Sequence, residues 1–339
     1  MYNKNVYKHD DMKRSEHMAV RNTAGWYLWT HQLLEVTGED VVVFLDKIFP
    51  NNIANIKVGA ERYTSMLNES ADIIDDVVVF RMDEKRFWIS TLFVNYLQKW
   101  LDVHKGEAKV EYEDITSKWD MYSVQGPKSR DIVNSMVKND INEQKFFTIR
   151  ANEIDGVPVY INRAGFTGEK LGYEIYVAPD KADDMEEKIR KTADKFDGRE
   201  VTEFQVMAWT LPTEAGFHYM RDLRHVNPLE VGLDRGINWD KDFIGKDALV
   251  KIKEDGPARE MVGFTIDEVD IHVKGRHLGN EGEIVYKDGE DVGRCAKIVY
   301  SYVQEKNNGF IMARKGTLKA GDRVTMHGHE AVITEKCFL

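Results

Sequence analysis

The sequence predicts an α+β protein that ends in a small antiparallel β-barrel. Two observations carry this. Over residues 1–254, helical and strand patterns are interleaved without a regular strand–helix–strand alternation. After Leu249 the pattern changes to short apolar runs separated by Gly and Asp-Gly turns such as Lys287-Asp288-Gly289. A chain of 339 residues is long enough for two domains. The turn cluster Glu254-Asp255-Gly256-Pro257 places the boundary between 1–254 and 255–339.

The elements follow in order. Leu33–Val36 reads as a short strand ended by Gly38. Val42, Phe44, Leu45, Ile48 and Phe49 recur at helical spacing, which predicts a helix over 39–49. Arg62–Leu67, Asp76–Met82 and Arg86–Thr91 are strand-like, and Phe93, Leu97, Trp100 and Leu101 fit one helix face. Asp120–Val124 is a strand stopped by Gly126-Pro127, and Pro127 suits the first turn of a following helix. Phe146–Ile149, Val157–Asn162 and Tyr173–Val177 are further strands. Met185, Ile189, Ala193 and Phe196 line a helix with Asp180 as its N-cap. The barrel strands are Met261–Ile266, Gly282–Tyr286, Ala296–Val303, Arg323–Met326 and Ala331–Thr334.

Composition narrows the function. Lys+Arg is 47 and Asp+Glu 58, a net charge of −11. That excludes a general nucleic-acid binder, which needs a basic face. Two cysteines exclude a disulfide framework. No apolar run approaches the roughly 18 residues of a membrane span, and the start lacks the apolar core of a secretory signal, so a cytoplasmic protein is expected. No phosphate loop, GxGxxG, HExxH or G-x-S-x-G occurs. His327-Gly328-His329 reads as a solvated turn, so no metal is expected.

Four stretches carry the chemistry. In Ile73-Ile74-Asp75-Asp76-Val77-Val78, carboxylates open a β-branched strand, where Asp is disfavoured. Adjacent strand residues face opposite ways, so only one of Asp75 and Asp76 can enter a given site. Val124-Gln125-Gly126-Pro127 is a strand-to-helix corner. Arg163-Ala164-Gly165-Phe166-Thr167-Gly168-Glu169 leads into Gly172-Tyr173-Glu174-Ile175-Tyr176, where a lone carboxylate interrupts an apolar run. A buried acid needs a partner, and a flat heterocycle offering two N–H donors would supply one. The fourth is Asn227-Pro228-Leu229-Glu230-Val231-Gly232-Leu233, followed by Asp242-Phe243-Ile244-Gly245-Lys246.

In this order and spacing, from Met18-Ala19-Val20-Arg21 almost to the C-terminus, the chain resembles the glycine-cleavage T-protein (aminomethyltransferase) family, which includes tetrahydrofolate-dependent demethylases. The resemblance implies three subdomains around a central folate channel, the last a β-barrel. It implies tetrahydrofolate as cofactor, with Asp76 near the reacting nitrogens and Glu174 on the pterin edge. Tyr63, Phe166 and Glu230 would complete the cofactor site. His31, at the family's [ST]-H pair, is a candidate catalytic residue on the substrate side, and Trp29 and Trp209 would line the substrate site.

The departures bear on the reaction. The family's F-x-G-W leader is missing ahead of Ala19-Val20-Arg21. Aligned on Glu214, the two arginines of the family's G-A-R-D…R-L-E helix fall on Ala208 and Pro212, which removes bidentate carboxylate binding. Phe166 stands where the family has a tyrosine, and Tyr27-Leu28-Trp29-Thr30-His31-Gln32 replaces D-V-S-H-M. The expectation is therefore a demethylase that moves methyl from a small O-, N- or S-methyl donor to tetrahydrofolate. One alternative is the aminomethyltransferase of glycine cleavage, with a lipoyl carrier protein as partner. Another is a non-catalytic folate-binding regulatory protein, whose K-G-C-Y-x-G-Q signature is absent at residues 163–169.

Overall fold

Two sheets face one another with helices on their outer sides, so the central strands are buried on both faces. The computed structural model describes residues 3–4, 10–29, 31–268, 271–273, 275 and 282–339; Thr30 lies outside them. One sheet has five strands in the order Glu61–Leu67, Ile73–Asp83, Arg86–Thr91, Gln32–Gly38 and Val110–Asp114. The other has six, in the order Arg199–Glu200, Gly25–Trp29, Asp120–Gln125, Gly172–Val177, Val157–Arg163 and Thr148–Ile154. Arg259–Ile266, Lys306–Arg314, Glu290–Ser301, Ile284–Lys287, Arg323–Met326 and His329–Thr334 close into a barrel.

The strand parity decides what faces the site. Val77 and Val79 turn outward to helices Val41–Ile48 and Val94–Lys105. Val78 and Phe80 turn inward and meet Met121 and Tyr176 of the six-stranded sheet. On that sheet Ile175 and Val177 pack outward against helix Ala182–Asp194. Each such buried apolar side chain contributes about 1.5–3 kcal/mol. Glu61 N–H donates to Phe147 O at 3.1 Å, and Ala60 bridges Thr148, so the sheets are also tied through backbone.

Three sequence expectations are corrected. Phe146 stands exposed ahead of the strand, which begins at Thr148, because Phe147 turns the chain with φ 59°. Asp180 is not an N-cap: Pro179 sets a tight turn over Pro179–Lys181, and the helix begins only at Ala182. Pro127 precedes helix Ser129–Asn134 instead of opening it. Helix Asp11–Asn22, strand Gly25–Trp29 and barrel strand Lys306–Arg314 were not predicted.

Helix Leu211–Glu214 follows a widened π-helical turn over Val206–Thr210. Pro212 explains the widening, since its ring crowds the carbonyl four residues back, that of Ala208.

Candidate active site

Between the facing sheets lies a cavity, open on one side. Glu61, Tyr63, Asp76 and Val78 enter it from one sheet, and Tyr27, Asn162, Glu174 and Tyr176 from the other. Met207, Ala208, Pro212 and residues 217–220 cover one side.

Asp76 faces the cavity on the same strand face as Val78 and Phe80. Tyr63 Oη donates to its Oδ2 at 3.0 Å. Burial pushes the Asp76 carboxyl up to about 6, against the Tyr63 hydrogen bond. Asp75 faces the other way, fully buried, accepting from Thr91 Oγ1 and from Asp76 N–H at 2.9 Å. Burial and the Asp76 charge push its carboxyl up to about 7.

That shift has a sign. A folded-state value above the ordinary carboxyl range favours folding fully below about pH 4, and the contribution is lost as pH rises towards 7. Asp75→Asn removes the ionising group. Thermal unfolding should show the wild type losing more stability than the variant between pH 5 and 8, by on the order of 2 kcal/mol. Equal losses would contradict this.

Glu174 is buried, and its Oε2 accepts from Asn162 Nδ2 at 3.0 Å and Tyr176 Oη at 3.2 Å. Burial raises its carboxyl, and those two hydrogen bonds oppose the rise. His31 lines the cavity and stacks on Tyr176, with ring centroids 5.4 Å apart. Burial pulls its imidazole down to about 4, so at pH 7 it is neutral and holds no imidazolium proton. His218, which the sequence did not single out, lines the cavity and is lowered to about 4, chiefly by burial. Protons near the cavity at neutral pH therefore sit on carboxyls raised by burial, such as Glu61, and on tyrosines, such as Tyr27, pushed up to about 12.

Trp29 and Phe166 line the cavity mouth. Trp209 does not line it: its ring sits behind Phe204, and the Arg221 guanidinium lies 4.3 Å above it. Glu230 is also displaced from its expected role. Its carboxylate accepts from Arg259 at 2.8 and 3.0 Å and from Asn227 N–H at 3.2 Å. It closes the capping box of helix Pro228–Val231 and ties that helix to the barrel, which leaves it outside the cavity wall. His327 and His329 face different glutamates, Glu283 and Glu268.

The remaining motifs hold the walls. Gln125 is buried; its amide donates to Ser123 Oγ at 2.9 Å and Ala164 O at 3.1 Å, and its Oε1 accepts from Thr167. A Cβ on Gly165 or Gly172 would fall 1.9 or 2.2 Å from Gln125 Oε1, so the glycines make room for this clamp. Arg21 donates to Glu214 Oε2 at 2.7 and 3.1 Å, to Thr167 O at 2.7 Å and to Leu211 O at 3.1 Å. Glu214 is fully buried and also meets His17 at 3.1 Å and Ser301 of the barrel. Burial would raise the Glu214 carboxyl, but His17, Arg21 and Ser301 together hold it below the ordinary range.

Comparison with known proteins gives this architecture its class. Residues 1–241 match the family described as the GCVT N-terminal domain, whose members are tetrahydrofolate-dependent one-carbon transferases. The chain belongs to that family, the glycine-cleavage T-protein family. An aminomethyltransferase of Thermoanaerobacter sp. (strain X514) is 31% identical over 317 residues, covering 91% of this chain and 83% of the relative. One from Caldanaerobacter subterraneus subsp. tengcongensis is 31% identical over 335 residues, covering 96% and 87%. The crystal structure of glycine cleavage system aminomethyltransferase T from Bartonella henselae shares the fold, with a TM-score of 0.84 at 21% identity, covering 96% of this chain and 89% of that one. The predicted α+β fold with a C-terminal barrel is thereby shown. Among the described residues no helix is long and apolar enough to cross a membrane.

Proposed function

We propose that the chain is a tetrahydrofolate-dependent demethylase acting on a small O-, N- or S-methyl donor. The observation that supports this reading is the aromatic mouth of the cavity. Trp29 stacks on Phe204 with centroids 6.1 Å apart and planes 6° from parallel, and Phe166 and Phe217 line the opening beside it. Ala208 and Pro212 line the same wall at positions where the family helix carries arginines. Such a surface offers π faces and apolar contact in place of carboxylate-binding charge. It suits a methoxy-aromatic by stacking, or a sulfonium or quaternary ammonium by cation–π attraction.

The cavity fits tetrahydrofolate on its own terms. Glu174 presents a buried carboxylate for paired N–H donors, on a cavity wall lined by aromatic rings. When bound, tetrahydrofolate would supply a secondary amine, N5, that takes the methyl and gives up its proton; a neutral oxygen or nitrogen donor gains a proton on leaving, whereas a sulfonium or quaternary ammonium leaves as a neutral thioether or amine and the N5 proton passes to a base or solvent. Asp76 would hold the reacting nitrogen by accepting its N–H, with Tyr63 orienting the carboxylate. The proton for a leaving oxygen or nitrogen would come from a tyrosine lining the cavity, since His31 is neutral. The aromatic walls exclude water from the transfer.

The second reading, aminomethyltransferase of glycine cleavage with a lipoyl carrier protein as partner, is favoured by the names of the relatives. Either enzyme would act in the cytoplasm. The two are separated by product. With tetrahydrofolate and a panel of methoxy-aromatics, betaines and sulfonium compounds, 5-methyltetrahydrofolate should form. With aminomethylated lipoyl carrier protein, 5,10-methylenetetrahydrofolate should not. The reverse pattern would replace the demethylase by the second reading. Trp29→Ala should raise KM for the accepted donor roughly tenfold, with a smaller change in KM for tetrahydrofolate. An unchanged donor KM would remove Trp29 from the substrate site.

A further inference from the structure

Beside Asp76 and Glu174, the cavity holds a third carboxyl, which no motif marks. Glu61 opens strand Glu61–Leu67, two residues before Tyr63 and therefore on the same strand face. It lines the cavity at 5% exposure, and neither of its carboxyl oxygens has a hydrogen-bond partner of good geometry. The Oδ1 of Asn162 lines the same space and is likewise unpartnered, while its Nδ2 is committed to Glu174. Free-standing buried oxygens of this kind are costly unless a ligand completes them.

The electrostatics separate the two acids. Burial and the Glu174 charge push the Glu61 carboxyl well above the ordinary range, with the Asn162 amide easing it only in part. Glu174 has two donors and keeps its negative charge more readily. Two buried carboxyls that feel one another do not both ionise, so the site offers one carboxylate and one neutral acid. A carboxylate accepts only; a neutral acid also donates.

We propose that Glu61, as a neutral carboxylic acid, reads the pterin edge alongside Glu174, donating to a ring acceptor while Glu174 accepts the paired N–H donors. The inference rests on tetrahydrofolate being the ligand of this cavity. The pterin edge carries N3–H and the 2-amino group as donors, flanked by the 4-oxo and N1 acceptors. A carboxylate beside a neutral acid matches that donor–acceptor sequence, and the unpartnered Asn162 Oδ1 is placed for an additional N–H. The 4-amino analogue of tetrahydrofolate presents a donor where the 4-oxo group accepts, so a Glu61 that donates there would select against it.

The test is calorimetric titration of tetrahydrofolate and of its 4-amino analogue into the full chain. It compares the wild type with Glu61→Gln, Glu61→Met and Glu174→Ala. Glu61→Gln keeps a donor and should bind tetrahydrofolate within about threefold of the wild type. Glu61→Met should weaken binding about tenfold and shrink the preference for the 4-oxo ligand. Because Glu61→Met removes a buried, unpartnered carboxyl, it should raise the Tm of the ligand-free protein. A residue that merely holds the fold would lower it. Wild-type tetrahydrofolate affinity in a folded Glu61→Met protein, or a lowered Tm with unchanged ligand preference, would overturn the inference. Glu174→Ala separates the two claims. If it loses binding while Glu61→Met does not, only Glu61 falls. If the wild type binds neither ligand, the folate reading itself falls.

Discussion

Arg21→Ala should destabilise the protein by about 3–5 kcal/mol, because it takes a guanidinium ion-pair partner from the fully buried Glu214. The guanidinium forks onto Glu214 and also holds the carbonyls of Thr167 and Leu211. These contacts join the first helix, the glycine loop at 163–169 and the helix ending at Glu214. Barrel Ser301 joins the same carboxylate, so the damage reaches the barrel as well. In thermal unfolding the loss should appear as a fall of about 4–7 °C. Arg21→Lys should recover only part of it, since an ammonium cannot span carboxylate and two carbonyls in one plane. A fall of less than about 1 kcal/mol for Arg21→Ala would show that the hub is solvated enough to do without its arginine.

Asp76→Asn should have the largest effect on turnover, lowering kcat by about 10²–10⁴ while tetrahydrofolate affinity changes only a few-fold. The amide keeps the shape and the contact with Tyr63 but cannot take a proton or carry charge. The wild-type rate should rise with pH through about 6, where the Asp76 carboxyl ionises. The Asn variant should lose that limb. A variant that keeps the limb would assign it to another group, and one that binds tetrahydrofolate a hundredfold more weakly would make Asp76 a binding residue.

Much of the fold is legible in the sequence because β-prone residues cluster in Arg86–Thr91 and Gly172–Val177 and apolar residues alternate with polar ones in Arg323–Met326. The misses have physical causes. Helix Asp11–Asn22 is rich in charged residues, and its buried face carries Glu16 and His17, whose partners are distant in sequence. Strand Lys306–Arg314 opens with Asn307-Asn308-Gly309, residues that signal a turn. There Gly309 lets the Phe264 ring and the Lys297 carbonyl approach the backbone, and a Cβ would fall 2.0 Å from that oxygen.

The site was legible where a motif marked it and obscure where only parity did. Asp76 and Glu174 stood out as acids in apolar strands, and both face the cavity. Glu230 stood out equally, yet Arg259, 29 residues onward, draws it to a structural role that no local pattern reveals. Trp209 is held back by Phe204 and Arg221. Glu61 carried one usable signal, its two-residue offset from Tyr63, which fixes its face once Tyr63 is placed.

Calorimetric titration of tetrahydrofolate into the wild type and into Glu174→Ala tests the folate channel most directly. Expected is saturable binding by the wild type that Glu174→Ala weakens at least tenfold while its fold is retained. No binding by a properly folded wild type would contradict the channel's assignment and leave a T-protein fold whose cavity serves another ligand.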